Sequence, residues 1–321
     1  MSKNSSIQWT GNTWPIVTGC EFESEGCANC YALKDSWRLS HNPNPKVSDP
    51  YKGTVIKAAN GKLQWSKLIK CHPDRLNWVL QWKKPSLIFV CNMSDLFHES
   101  VPDEFIYQAF AYMAITPHHT YQVLTKRPKR MMELLQSGKQ TIRRNVVDLG
   151  RNLNLPYKVY EPYETCCFDW PLQNVWLGVS AENQKAANER IVYLRHTPAR
   201  IRFLSCEPLL EHIELFDVDG EVAISMSAFY HREMLYPGEV IDWVILGGES
   251  GANARPCRLE WIRHIAKQCE EIGIPVFIKQ LGRLCLQDDG QHLFACSHPK
   301  GGDVNEFPPD LQIRQFPNPD A

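Results

Sequence analysis

A chain of 321 residues, 43% hydrophobic and 22% charged, has the length and composition to bury one large α/β core or two ordinary ones, and it is neither collagen-like nor disordered. Its 35 basic and 36 acidic side chains leave no global field to draw it onto nucleic acid or a membrane surface, so any basic surface is local. Residues 1–19 lack the apolar core of a signal peptide and no run reaches spanning length, which predicts a cytoplasmic, non-membrane protein.

Twelve cysteines are many for such a chain. In a reduced compartment the clustered ones read as metal-binding or catalytic, whereas scattered ones such as Cys269 read as small buried hydrophobes. The cluster comes early. After a predicted strand over Thr13–Thr18, Cys20, Cys27 and Cys30 stand at C-x6-C-x2-C, a loop able to fold three thiolates onto one centre. Soft thiolates select iron–sulfur clusters or zinc. Zinc needs a fourth ligand, from His41 or a distant cysteine, to close a structural site. A four-iron cluster with three protein ligands keeps one iron open. Gly26 precedes the close pair, where a loop often needs an unusual backbone angle.

Leu33 and Trp37 begin a helix after Cys30. Residues 41–84 read as an insertion containing a hairpin about Asn60-Gly61 and a short helix over Pro73–Trp82. A rhythm of apolar strand, polar tip and helix then repeats about six times. The strand at Ser86–Cys91 leads to Asn92, Ser94, Asp95 and His98, and that at Thr120–Leu124 leads to Lys126 and Arg127. The strand at Asn174–Val179 leads to Ser180, Glu182 and Asn183, and that at Ile201–Leu204 leads to Cys206, Glu207 and Pro208. The strand at Val240–Leu246 ends in Gly247-Gly248-Glu249-Ser250-Gly251, and a last strand spans Pro275–Ile278. Residues 138–173 and 211–238 break the rhythm as insertions, and the Gly-, Pro- and Asp-rich tail over 285–321 reads as irregular and loose. The expected architecture is an α/β domain with a parallel sheet, either a barrel of the TIM type or a doubly wound open sheet.

In such barrels the strand tips bear the chemistry. Lys126 with Arg127 can clamp a carboxylate or phosphate. Ser180, Glu182 and Asn183 can hold a ribose or an amine, or cap a helix. Gly247, Gly248 and Glu249 offer backbone amides at close approach, and Asn92 with Asp95 adds another polar tip. Glu207 is a candidate acid, base or hydrogen-bond partner, and Cys206 beside it, like Cys91, is a candidate radical-donating thiol, an extra metal ligand or simply a packed thiol.

These motifs together resemble a known family. Thr18-Gly-Cys20 with Cys27 and Cys30, Asp95-Leu-Phe97, Leu124-Thr-Lys126-Arg127-Pro128, Trp176-Leu-Gly178-Val-Ser180 with Glu182-Asn183, Ser205-Cys-Glu207-Pro208-Leu209 and Gly247-Gly-Glu249-Ser-Gly251 are similar, in order over roughly 7–282, to the phage-associated three-Cys-motif proteins. Those resemble radical S-adenosylmethionine enzymes, with the spore photoproduct lyase branch nearest. The resemblance implies an α/β domain over 1–284 wound as a partial (β/α)6 barrel of the TIM type, holding a [4Fe–4S] cluster on Cys20, Cys27 and Cys30 whose fourth iron binds S-adenosylmethionine. It places Lys126 at the cofactor's carboxylate and Ser180 and Glu182 at its ribose or amine. It further implies reductive cleavage by an external electron donor, hydrogen abstraction from a substrate such as a nucleic-acid base or nucleotide, and a monomer. The first gap of six residues departs from the commoner C-x3-C-x2-C. The competing readings are a zinc-stabilised, non-catalytic nucleic-acid-binding protein and a metal-dependent hydrolase, the latter lacking the usual histidine-rich ligand set.

Overall fold

The computed structural model describes residues 2–3, 5–216 and 241–318. The predicted insertion beyond residue 216 and the first residue of the predicted strand at 240 lie outside them. The fold is mixed α/β, and the chain divides into two compact units. The first comprises residues 1–22, 30–176 and 197–200, and the second comprises 23–29, 177–196 and 201–321.

The first unit opens with β1 (Ser2–Lys3), β2 (Asn12–Trp14) and β3 (Val17–Thr18). The single strand expected over 13–18 is two. Pro15, which has no amide proton, lies between them, so β2 pairs with β7 while β3 turns away to pair with β6. Then come α1 (Tyr31–Ser40), α2 (Pro45–Ser48), the hairpin β4 (Val55–Lys57) and β5 (Leu63–Trp65), and β6 (Lys70–Cys71). Pro73–Gln81 is a 3-10 helix, with Leu76 and Val79 buried three residues apart on one face. Next are β7 (Leu87–Val90), α3 (Asp103–Ala114), β8 (Thr120–Thr125), α4 (Pro128–Ser137), α5 (Lys139–Asn152) and α6 (Tyr157–Glu164). Strand order is β1-β2-β7-β8, parallel from β2 onward. The core gathers Trp14, Ile88, Ile106, Met113, Tyr121 and Met131, all fully buried. Helix α6 was expected as irregular chain. It has no buried residue and carries Pro162 internally, so it shows no apolar stripe, and Tyr160 packs its ring over Gly150 of α5.

The chain passes to the second unit along β9 (Val175–Ser180), followed by α7 (Gln184–Arg195), β10 (Ile201–Cys206), β11 (Trp243–Gly247), β12 (Cys257–Arg258), α8 (Leu259–Glu271), β13 (Val276–Gln280) and β14 (Cys285–Leu286). The order β9-β10-β11-β13 advances in one direction, with parallel pairs β10–β11 and β11–β13, around Phe203, Trp243, Ile245 and Ile278. The stretch after 285, expected to be loose, is packed. The Ile278 amide donates to Ile313 O and the Gln315 amide to Val276 O, and Phe307 and Leu311 are buried.

Candidate functional site

The strands run to their polar tips, so Thr125, Ser180, Cys206 and Gly247 are the last residues of β8, β9, β10 and β11. The segment carrying the three cysteines is shared: 23–29 belongs to the second unit, and its flanks belong to the first.

In the first unit, Gly19 leads into the segment at φ +88°, and a Cβ there would lie 2.1 Å from Leu68 O. Only glycine fits both demands. Glu21, beside Cys20, reaches Arg127 Nη2 at 3.5 Å and His98 Nε2 at 3.4 Å. Cys30 is the N-cap residue of α1, where the helix's positive end favours a thiolate. The Tyr31 hydroxyl then donates to Asn92 O at 2.5 Å, so Asn92 holds the chain by its carbonyl. Asp95 is saturated: it accepts from the Phe97 amide, the Thr125 hydroxyl, the Lys126 amide and Arg127 Nη1. It orders the β7 and β8 tips and is engaged on both oxygens.

In the second unit, Glu25–Cys27 forms a 3-10 turn, with the Cys27 amide donating to Ser24 O at 2.8 Å. The Gly26 amide donates to Glu182 Oε1 at 3.4 Å, and Arg190 Nη1 donates to Glu182 Oε2 at 2.9 Å. Gly26 is not among the glycines of positive φ. It is small because a Cβ would lie 3.0 Å from Glu182 Cδ, which corrects the reading that the loop needs an unusual angle there. Asn29 Nδ2 donates to Glu249 Oε2 at 2.9 Å and to Asn253 O at 2.8 Å. Arg255 brings its backbone amide and Nε to Glu249 Oε2, its Nη2 to Glu249 Oε1 at 2.7 Å, and Nη2 also to Glu25 O at 3.0 Å. Burial pushes the Glu249 carboxyl up, but the donors from Arg255 and Asn29 outweigh it and hold it below the usual carboxylate range.

Glu182 and Glu249, expected to face a cofactor, each accept a hydrogen bond from the cysteine loop. The glycines are likewise accounted for by packing: a Cβ on Gly248 would fall 2.3 Å from Leu281 O, and one on Gly247 would meet Gln280 and Glu207. Ser180 is buried, and its carbonyl accepts from Arg190. Glu207 is ion-paired with Lys279 at 2.5 Å, both about one-fifth exposed. Lys279, the residue after the last predicted strand, is a partner that the sequence reading did not single out. Lys126 is half-buried beside Arg127.

Cys20, Cys27 and Cys30 are partly exposed, as are Cys71 and Cys296, and Cys166 and Cys167 are exposed. Cys91, Cys206, Cys257, Cys269 and Cys285 are buried, and burial pushes their thiols up, Cys91, Cys269 and Cys285 to about 12. A metal ligand or nucleophile must be a thiolate. Cys206 therefore keeps the properties of a neutral S–H group.

A family model described as "Protein of unknown function (DUF5131)" matches residues 4–306. The chain belongs to that family. The match runs through both units and takes in the cysteine segment and every strand tip described above. No curated protein and no solved structure matches the chain.

One further group in this DUF5131 member has ligand-like spacing: Glu21, His98 and Glu99 offer atoms within 4.8 Å of one another. Its hydrogen bonds argue against a metal. The Ser100 amide donates to His98 Nδ1 at 3.1 Å, which leaves Nε2 as the protonated nitrogen of the neutral ring, the reverse of what ligation through Nε2 needs. Arg127 Nε already holds Glu99 at 2.9 Å. Arg127 is the cation that holds both Glu21 and Glu99, with the neutral His98 ring beside them.

Proposed function

We propose that this protein is a radical S-adenosylmethionine enzyme whose [4Fe–4S] cluster is held by Cys20, Cys27 and Cys30. The observation that supports it most is that three partly exposed thiols share one short segment, whereas five of the other cysteines are buried with their thiols pushed up and the remaining four are scattered outside that segment. Three soft donors with no fourth close by in sequence fit a cluster with an open iron better than a closed zinc site. The segment is tied down by Arg127 and Asn92 in one unit and by Glu182 and Glu249 in the other.

The one-directional strand order within each unit supports the finer architecture of a partial (β/α) barrel, because a doubly wound sheet reverses its order. When bound, the cluster supplies an electron, taken from an external donor, to cleave S-adenosylmethionine and generate a hydrogen-abstracting radical. The chain's own part is binding and shielding. Lys126, half-buried at the β8 tip, is the group proposed to meet the cofactor's carboxylate, as the resemblance of the motifs implies. Cys206, a buried neutral thiol beside the Glu207–Lys279 pair, is suited to hydrogen-atom exchange and not to ligation. A nucleic-acid base or nucleotide as substrate rests on the resemblance of the motifs alone.

The test is anaerobic reconstitution with iron and sulfide, then addition of S-adenosylmethionine and dithionite. The expected result is four irons per chain and formation of 5′-deoxyadenosine, both lost in Cys27→Ala. A colourless protein with one tightly bound zinc overturns the proposal, as does a fully loaded cluster that yields no 5′-deoxyadenosine with or without added nucleic acid.

A further inference from the structure

The two buried carboxylates at the tips of β9 and β11 form an arrangement that goes beyond ligand identity. Glu182 is 1% exposed and Glu249 is 6% exposed. Each has an arginine partner within its own unit: Arg190, itself 5% exposed, and Arg255. Each also has a donor from the cysteine loop, the Gly26 amide for Glu182 and the Asn29 side chain for Glu249. Arg255 closes a ring, since the guanidinium that neutralises Glu249 also donates to Glu25 O. Both protons of the Asn29 amide nitrogen are used, one on Glu249 and one on Asn253 O. Cys27 lies between these two anchors, one residue after Gly26 and two before Asn29.

Each of these carboxylates is shared between an arginine and one donor of the loop. We propose that Glu182 and Glu249 are positioning residues that fix Cys27, so that retention of the metal centre depends on them although neither touches it. The inference rests on the reading of Cys27 as a cluster ligand. A loop held at residues 26 and 29 presents its thiolate in one place before the cluster arrives, and less ordering remains to oppose binding. A loop released at 29 has to be ordered by the cluster itself.

Asn29→Ala gives the cleanest test, because it cuts the tether and leaves the Glu249–Arg255 ion pair in place. Asn29 is only half-buried, so the variant should fold. Glu249→Gln is the second variant: it keeps the shape and removes the charge. Each is reconstituted in the full-length chain, and the rate of iron loss to an excess of chelator is followed by absorbance. Loss of a hydrogen bond to a charged acceptor predicts about tenfold faster loss in Asn29→Ala. The iron:chain ratio at time zero should stay near that of the wild type, and the electron paramagnetic resonance spectrum of the reduced cluster should broaden. Asn29→Gln, which can still donate, should recover part of the retention. A merely structural anchor would lower the melting temperature without changing chelation or the spectrum. Wild-type rates in both Asn29→Ala and Glu249→Gln overturn the proposal and leave the cluster reading intact. Should the wild type take up no iron, the cluster reading fails separately. Amide hydrogen exchange over residues 25–29 of the apo chain still reads the anchor, and unchanged exchange in Asn29→Ala refutes it.

Discussion

The carboxylate of Glu182 lies against the backbone of Gly26, with 3.4 Å from amide nitrogen to Oε1 and 3.0 Å from the place of a Cβ to Cδ. Glu182 cannot retreat, because Arg190 holds its other oxygen in a buried pair. Gly26→Ala therefore forces the 25–27 turn outward. Overpacking of this kind costs about 1–3 kcal/mol. The expected outcome is a melting temperature lowered by a few degrees and a reduced iron:chain ratio after reconstitution. Melting and iron content equal to the wild type would remove the steric argument.

The same pair makes a second prediction about asymmetry. Arg190→Met leaves Glu182 buried without its cation, whereas the double change Arg190→Met with Glu182→Met removes both charges. Breaking one partner of a buried pair costs about 3–5 kcal/mol, and replacing both by apolar groups is often neutral. Urea denaturation midpoints should fall sharply for the single variant and recover most of the loss in the double one. Equal loss in both would show that the Arg190 bond to Ser180 O, and not the charge balance, holds the β9 tip.

The strands were legible because a continuous apolar run followed by polar residues has few other meanings in an α/β chain. The partners of the tips were not. Glu182 and Glu249 accept from Gly26 and Asn29, which lie 156 and 220 residues away in the chain, and no local pattern announces such a pairing. Gly26 was singled out, yet its need for smallness comes from a distant side chain, while Gly19, whose backbone does require glycine, carried no separate signal. The tail was misread for a similar reason: Phe307 and Leu311 are isolated anchors among Gly, Pro and Asp, and sparse anchors leave no period to detect.

Acidification should weaken the first unit through His72. Burial, then Arg75 nearby, lowers this imidazole to about 4, against about 6.5 in solvated chain. Thr18 Oγ1 donates to Pro50 O at 2.6 Å and lies 2.9 Å from His72 Nε2, so the neutral ring is the donor in that contact. A histidine with a depressed folded pKa leaves stability intact above about pH 6.5, and that stability is lost as the pH falls toward 4, because the unfolded chain takes up the proton first. The ceiling is about 1.4 kcal/mol per pH unit within that window, and less for a half-buried group. Thermal melts between pH 7.5 and 4.5 should show a shallower decline in His72→Gln than in the wild type. Parallel declines would assign the acid sensitivity elsewhere.

The tail supplies the last prediction. Residues 313–315 run antiparallel along β13, with Phe277 opposite Arg314, and so cover an outer strand that would otherwise expose a row of unpaired backbone groups. The indole N–H of Trp243 donates to Gln315 O at 2.9 Å, and its ring stacks on Phe316 at 5.3 Å. Arg263 bridges Asp310 at 2.6 Å. Leu311 is 1% exposed, and Leu311→Ala should cost about 2–5 kcal/mol, as for other large-to-small changes in a packed site. A chain ending at 284 loses all of these contacts together and uncovers β13. It should appear largely in the insoluble fraction or melt well below the full-length protein, and a soluble 1–284 chain with full-length melting would show that β13 needs no cover.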